Sequence, residues 1–221
     1  MMWASLMMGA SAAPALATRT YLGEAHNGSA LTTYTFSSVG LGTAAADRKI
    51  VVGVTGIGQN NNFYVTSVTV GGVGATLVKA TMNADRPAEL WIAPVPGGTS
   101  GDIVVTFTGG QSACGIGVWA LYGAGGVHAT AGSTADPMSA GIDCPANGVV
   151  IGIGTDMNEY AFTWTGPTED FEDHVRGSGY NGTFTGASAQ YATTQTGLTV
   201  TCDPSGTAYH PAMAAASWGP A

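Results

Sequence analysis

No long stretch of this sequence places apolar residues at helical spacing. They come instead in short alternating or β-branched runs, such as KIVVGVT (49–55), DIVVTFT (102–108) and GVVIGIG (148–154). Glycine or turn residues close each run, as at Pro96-Gly97-Gly98 and Pro204-Ser205-Gly206. This patterning argues for an all-β chain of antiparallel strands. Further strands are expected at 31–41, 65–71, 74–79, 88–94, 114–122, 160–165, 186–193, 197–203 and 212–218. The small-residue run 43–47 has the character of one helical turn.

The alternation also assigns faces. Ile103, Val105 and Phe107 share one face of their strand. In 115–121 the residues Ile116, Val118, Ala120 and Leu121 cannot all share a face, so Trp119 is expected to pack against a second surface. Several C-terminal segments resemble N-terminal ones. KIVVGVTG (49–56) matches GVVIGIGT (148–155), ELWIAPVPGGTSGDIVVTFTGG (89–110) matches AQYATTQTGLTVTCDPSG (189–206), and GIGVWALYGAG (115–125) matches AMAAASWGPA (212–221). The expected architecture is an antiparallel β-sandwich of jelly-roll or immunoglobulin-like type over 23–221. It would be built from two related halves, 31–125 and 126–221, with an arm at 1–22. The joint GAGGVHATAGSTADP (123–137) reads as a crossing loop as much as a linker, which favours one sandwich shared by both halves.

That arm opens MMWASLMMGASAAPALA without a charged side chain, and the first cation is Arg19. A secretory signal would carry a basic region before its apolar core. A run broken by Gly9 and Pro14 is a poor membrane helix. We therefore read it as a retained arm, with Met1, Met2, Trp3, Leu6, Met7 and Met8 packing on the domain or on a neighbouring subunit.

Composition narrows the partners. Only 9% of residues are charged, against 45% hydrophobic, the reverse of a disordered chain. The net charge of −8 disfavours nucleic acid and anionic membrane as partners. Cys114, Cys144 and Cys202 are odd in number and show no CxxC spacing, so they read as small buried hydrophobes. Cys144 and Cys202 would pair if their strands were neighbours.

Catalytic and metal signatures are sparse. His26, His128, His174 and His210 have no metal-ligand spacing. There is no nucleophile elbow or phosphate loop, and the glycine-rich stretches 53–58 and 71–74 lack a following helix. No cofactor is expected. The acidic run Glu169-Asp170-Phe171-Glu172-Asp173 reads as a solvated loop, with calcium binding or a hydrolytic carboxylate pair as alternatives. Asn60-Asn61-Asn62-Phe63-Tyr64 and Tyr180–Phe184 are the places where aromatics could stack on a sugar.

The stretch VTSVTVGGVGATLVKATMNADRPAELWIAPVPGGTSGDIVVTFTGGQSACGIGVWALYG (65–123) resembles a pattern recurrent in virion structural proteins of tailed bacteriophages. A VGG turn, an ATLV strand, an acid-then-aromatic strand at Ala88–Ile92, a GTSG turn and a DIVVTF strand carry the resemblance. It implies a non-enzymatic virion protein. The leading expectation is a capsid decoration or cement protein, oligomeric and bound to the major capsid protein or other virion proteins. The alternative is a tail or head fibre module binding host-surface glycans.

Overall fold

The computed structural model describes residues 16–58, 63–84, 86–177 and 179–221. Its strands, in chain order, are β1 (Thr18–Asn27), β2 (Leu31–Gly40), β3 (Lys49–Ile57), β4 (Val65–Val70), β5 (Val73–Gly74), β6 (Thr76–Asn83), β7 (Arg86–Pro94), β8 (Ser100–Gln111) and β9 (Ala113–Tyr122). They continue with β10 (Ala124–Ser133), β11 (Met138–Cys144), β12 (Gly148–Asp156), β13 (Phe162–Thr165), β14 (Thr168–Gly177), β15 (Tyr180–Tyr191), β16 (Gln195–Pro204) and β17 (Ala212–Pro220). Among the described residues there is no helix, and 43–47 is bend and turn.

Four antiparallel sheets result. Sheet I is β1-β9-β3-β7-β6, sheet II is β2-β8-β4-β5, sheet III is β10-β17-β12-β15-β14, and sheet IV is β11-β16-β13. Leaving aside the two-residue β5, each half runs first-eighth-third-sixth-fifth over second-seventh-fourth, which is jelly-roll winding. Three cores show the stacking order. Val52, Ile103 and Phe107 fill the space between sheets I and II, and Val150, Val200 and Met213 that between III and IV. Val51, Trp119, Ile151 and Trp218 join sheet I to sheet III. The molecule is thus four layers deep, in the order II, I, III, IV.

The face assignments read from β8 and β9 find their partners here. Ile103, Val105 and Phe107 lie in the core between sheets I and II, as do Ile116, Val118 and Ala120, whereas Trp119 and Leu121 lie in the core between sheets I and III. A strand apolar on both faces is what an inner layer requires.

The sequence reading favours one sandwich shared by both halves, yet each half closes its own. The reason is four strands that it did not mark, β1, β10, β11 and β14. The segment 18–22, assigned to the arm, belongs to β1 and pairs with β9. The stretch 123–137, read as a crossing loop as much as a linker, is mostly β10. The acidic run 168–174 is an edge strand rather than a loop. These strands carry few consecutive apolar residues, because each lies at a sheet edge or covers a core with one face only. Residues 1–15, with the expected packing residues Met1, Met2, Trp3, Leu6, Met7 and Met8, lie outside the described residues.

The interface between sheets I and III approximates a two-fold arrangement. β1 lies against β14 on one side and β6 against β10 on the other, with β3 facing β12 between them. Exchanging the halves carries each contact into the other. Glycines allow the close approach. A Cβ on Gly53 would stand 3.0 Å from Ile153, and one on Gly117 would stand 2.5 Å from the Phe171 ring. Glycine in a strand interior costs stability unless something occupies the space it leaves, and here ring and branched side chains do.

One end of the stack is clamped by a buried arginine. Arg48 donates from Nε to the Val95 carbonyl (2.7 Å), from Nη1 to Leu41 and Gly42 (both 2.9 Å), and from Nη2 to Gly97 (2.6 Å) and Gly98 (2.8 Å). Three stretches of chain, at 41–42, at 95 and at 97–98, are held by one rigid fork. Lysine keeps the charge but has three donors on a flexible stem. Arg48→Lys is expected to cost about 2–3 kcal/mol in urea unfolding, the scale of losing charge-assisted bonds at buried carbonyls.

Candidate functional site

Strand register places one set of loops together at the end opposite the Arg48 clamp. Ile57 pairs with Ala113, Asn83 with Arg86, Gly177 with Tyr180 and Asp156 with Thr183. Asn83 donates to the Pro211 carbonyl across the sandwich boundary (3.1 Å). Loop 205–211 of the second sandwich is therefore a neighbour of the β6–β7 turn of the first.

The second-sandwich loops are built around Asp156. Its Oδ1 accepts from the Met157 and Tyr209 amides, both at 2.7 Å. The Met157 amide also reaches the Tyr209 carbonyl (3.1 Å), and the Ser205 amide donates to the Ala161 carbonyl (2.8 Å). Asn158 Nδ2 donates to the Thr207 carbonyl (3.1 Å), and the Ala208 amide donates to Asp136 Oδ2 (2.9 Å). Burial pushes the Asp156 carboxyl above the usual carboxylate range, while the donated amides and the Arg86 charge pull it down. On this frame Tyr160 and Tyr209 stand exposed, 36% and 55% accessible, and the His210 ring lies 4.2 Å from that of Tyr209. Tyr64, at the same end of the first sandwich, is 52% exposed.

Beneath Tyr64 the same end holds a buried acid that the sequence analysis passed over, since one glutamate in an apolar strand (AELWI) carries no spacing signal. Glu89 on β7 is 3% exposed. Its Oε2 accepts from Trp91 Nε1 (2.8 Å), and its Oε1 accepts more weakly from the Val65 amide (3.4 Å). Burial dominates and pushes the carboxyl up to about 7, against the pull of both bonds. The carboxyl is sealed between sheets I and II, out of reach of a substrate.

The expected site residues are dispersed. Asn60, Asn61 and Asn62 lie outside the described residues. Phe63 packs against Gly109. Phe184 is buried and Tyr180 is partly buried against the inter-sandwich core, so neither offers a stacking surface. Along β14 the acids take separate structural partners. Asp170, at a β-bulge, accepts from Trp119 Nε1 (2.8 Å) and from Ser188 Oγ. Glu172 accepts from the Phe162 amide (2.5 Å), and Asp173 pairs with His26 of β1 (2.6 Å). Among the described residues, no three His, Cys, Asp or Glu side chains converge as metal ligands.

The three cysteines are free and buried. Cys202 pairs with Met138, six residues from Cys144 along β11, a separation of about 20 Å in extended chain. A disulfide between the two is out of reach.

At the clamped end a groove of about 210 Å³ runs between the sandwiches, lined by Ile92, Pro94, Val127 and Trp218 with Lys49 at its rim. Lys49 Nζ donates to the Ala124 and Gly125 carbonyls (both 2.7 Å). Residue 16 enters the fold nearby, with its carbonyl against Gly123, and the Ala221 amide donates to the Gly123 carbonyl (2.8 Å).

No protein-family model, curated protein or solved structure matches this chain.

Proposed function

We propose that this chain is a non-catalytic structural protein of a tailed-bacteriophage virion. It decorates and cements the capsid through contacts with the major capsid protein and with further copies of itself. The supporting observation is the polarity of the stack. Residues 16 and 221 meet at Gly123, beside the apolar groove, and the uncharged segment bearing Trp3 and Met7 precedes residue 16 in the sequence. This proposed attachment end lies the length of the strands away from loops 157–161 and 205–211. Jelly-roll winding serves many unrelated roles, so the weight rests on this polarity and on the resemblance of 65–123 to virion proteins.

The test uses phage heads that lack the protein. Adding the full chain is expected to raise the temperature at which the heads release DNA. A Trp3→Asp/Met7→Asp double variant, with an unchanged melting temperature of its own, is expected to give no rise. Equal protection by both proteins, or protection by neither, would overturn the reading.

A further inference from the structure

We infer that loops 157–161 and 205–211 form a binding platform for a neutral pyranose sugar, with Tyr160 and Tyr209 stacking on the C–H face of the ring. This goes beyond the structural role proposed above and does not depend on it. Tyrosines scattered singly over a surface are ordinary. These two stand on adjoining loops at one end of one sandwich, with a histidine ring packed beside the second.

Three features single the place out. The loops are preorganised, because Asp156, Asn158, Ser205 and Ala208 bind them to one another and to the strand ends. Little ordering is left to offset when a ligand binds. Next, Tyr160 lies across Gly206, where a Cβ would come within 2.7 Å of the ring. One face of that tyrosine is supported by backbone and the side chain remains 36% exposed. Last, His210 is held at φ +56° directly before Pro211. A non-glycine residue is rare in that region, and proline further restricts the residue before it. The turn holds a strained conformation next to the exposed ring, as ligand-binding loops often do.

Charge selects the kind of sugar. Asp136, Glu159 and Asp203 lie on the same loops or the strand ends next to them. Arg176 is bound by Glu159 at 2.7 and 3.3 Å. With a net charge of −8, the surface repels sialylated or phosphorylated glycans and admits neutral ones. The carboxylates and the His210 imidazole are suited to hydroxyl groups, and the rings to the apolar face.

The test is saturation-transfer NMR on the full chain, with oligosaccharides of glucose, galactose, mannose and N-acetylglucosamine as separate probes. At least one probe is expected to receive saturation at its ring C–H protons. Tyr209→Ala and Tyr160→Ala are each expected to weaken that binding roughly tenfold, the scale of one lost stacking contact, with unchanged melting temperature. Gly206→Ala, which displaces the Tyr160 ring, is expected to weaken it as well. Tyr64→Ala, at the same end of the other sandwich, is expected to leave it unchanged. No transfer to any of the four probes, binding undiminished in the Tyr160 and Tyr209 variants, or equal loss in Tyr64→Ala would overturn the assignment.

Discussion

Trp119→Ala is expected to destabilise the protein by about 3–5 kcal/mol, the range for removing a fully buried indole. Trp119 is wholly inaccessible and stands in the core that joins sheet I to sheet III. Its ring packs against Tyr21 of β1 and Phe171 of β14, with centroids at 5.9 and 6.0 Å, and its Nε1 donates to Asp170. Alanine leaves a cavity and removes one of the two side-chain donors to the half-buried Asp170 carboxylate. The glycines that make room for this cluster, Gly117 and Gly186, have no side chains to close the gap. Scanning calorimetry is the readout. For a chain of this size, 3–5 kcal/mol corresponds to a fall in Tm of roughly 6–20 °C. Trp218, which pairs beside Val149 as Trp119 pairs beside Val51, lines the groove on one side. Trp218→Ala is therefore expected to cost less than Trp119→Ala.

The second large effect depends on pH. The carboxyl of Glu89 is held at about 7 in the fold, against an ordinary value of 4.5. Between those values the folded chain keeps a proton that the unfolded chain has lost. Stability from this group is therefore complete below about pH 4.5 and is lost as pH rises through 7. At about 1.4 kcal/mol per pH unit, the loss approaches 3 kcal/mol by pH 8. Glu89→Gln keeps an oxygen for Trp91 Nε1 and has no charge to bury. It is expected to match the parent protein near pH 4.5 and to exceed it by about 2–3 kcal/mol at pH 8 in urea unfolding. Parallel stability curves for the two proteins from pH 4.5 to 8 would show that Glu89 does not titrate in this window.

These two residues also mark what could be read from the sequence. Trp119 and Leu121 alternate with Ile116, Val118 and Ala120, so a second packing surface was legible from alternation alone. The inner strands β3, β9 and β12 were legible for the same reason, since layers buried on both faces must be apolar throughout. The edge strand β14 was not. Its buried positions Phe171 and Val175 are separated by Asp173, which meets the His26 ring at 2.6 Å, so the alternation is broken by an acidic residue. Reading that strand as an acidic loop removes an edge from sheet III and makes the second half look too small to close alone.

The site was less legible than the fold. Tyr160 and Tyr209 are 49 residues apart, and the pairing of Phe162 with Pro204 and the bonds between the two loops bring them together. The sequence offers Tyr180–Phe184 and Asn60–Tyr64 for stacking on a sugar. The register of β15 against β12 turns Phe184 into the inter-sandwich core instead. Glu89 carried no signal because burial, rather than any neighbouring motif, is what shifts it.

The proposed role in the virion is tested most directly by quantitative mass spectrometry of gradient-purified phage particles, measuring this chain against the major capsid protein. A fixed copy ratio that persists through successive gradients, in chain retaining residues 1–15, is the predicted result. Absence of the chain from purified particles, or a ratio that falls with each gradient, would contradict the account.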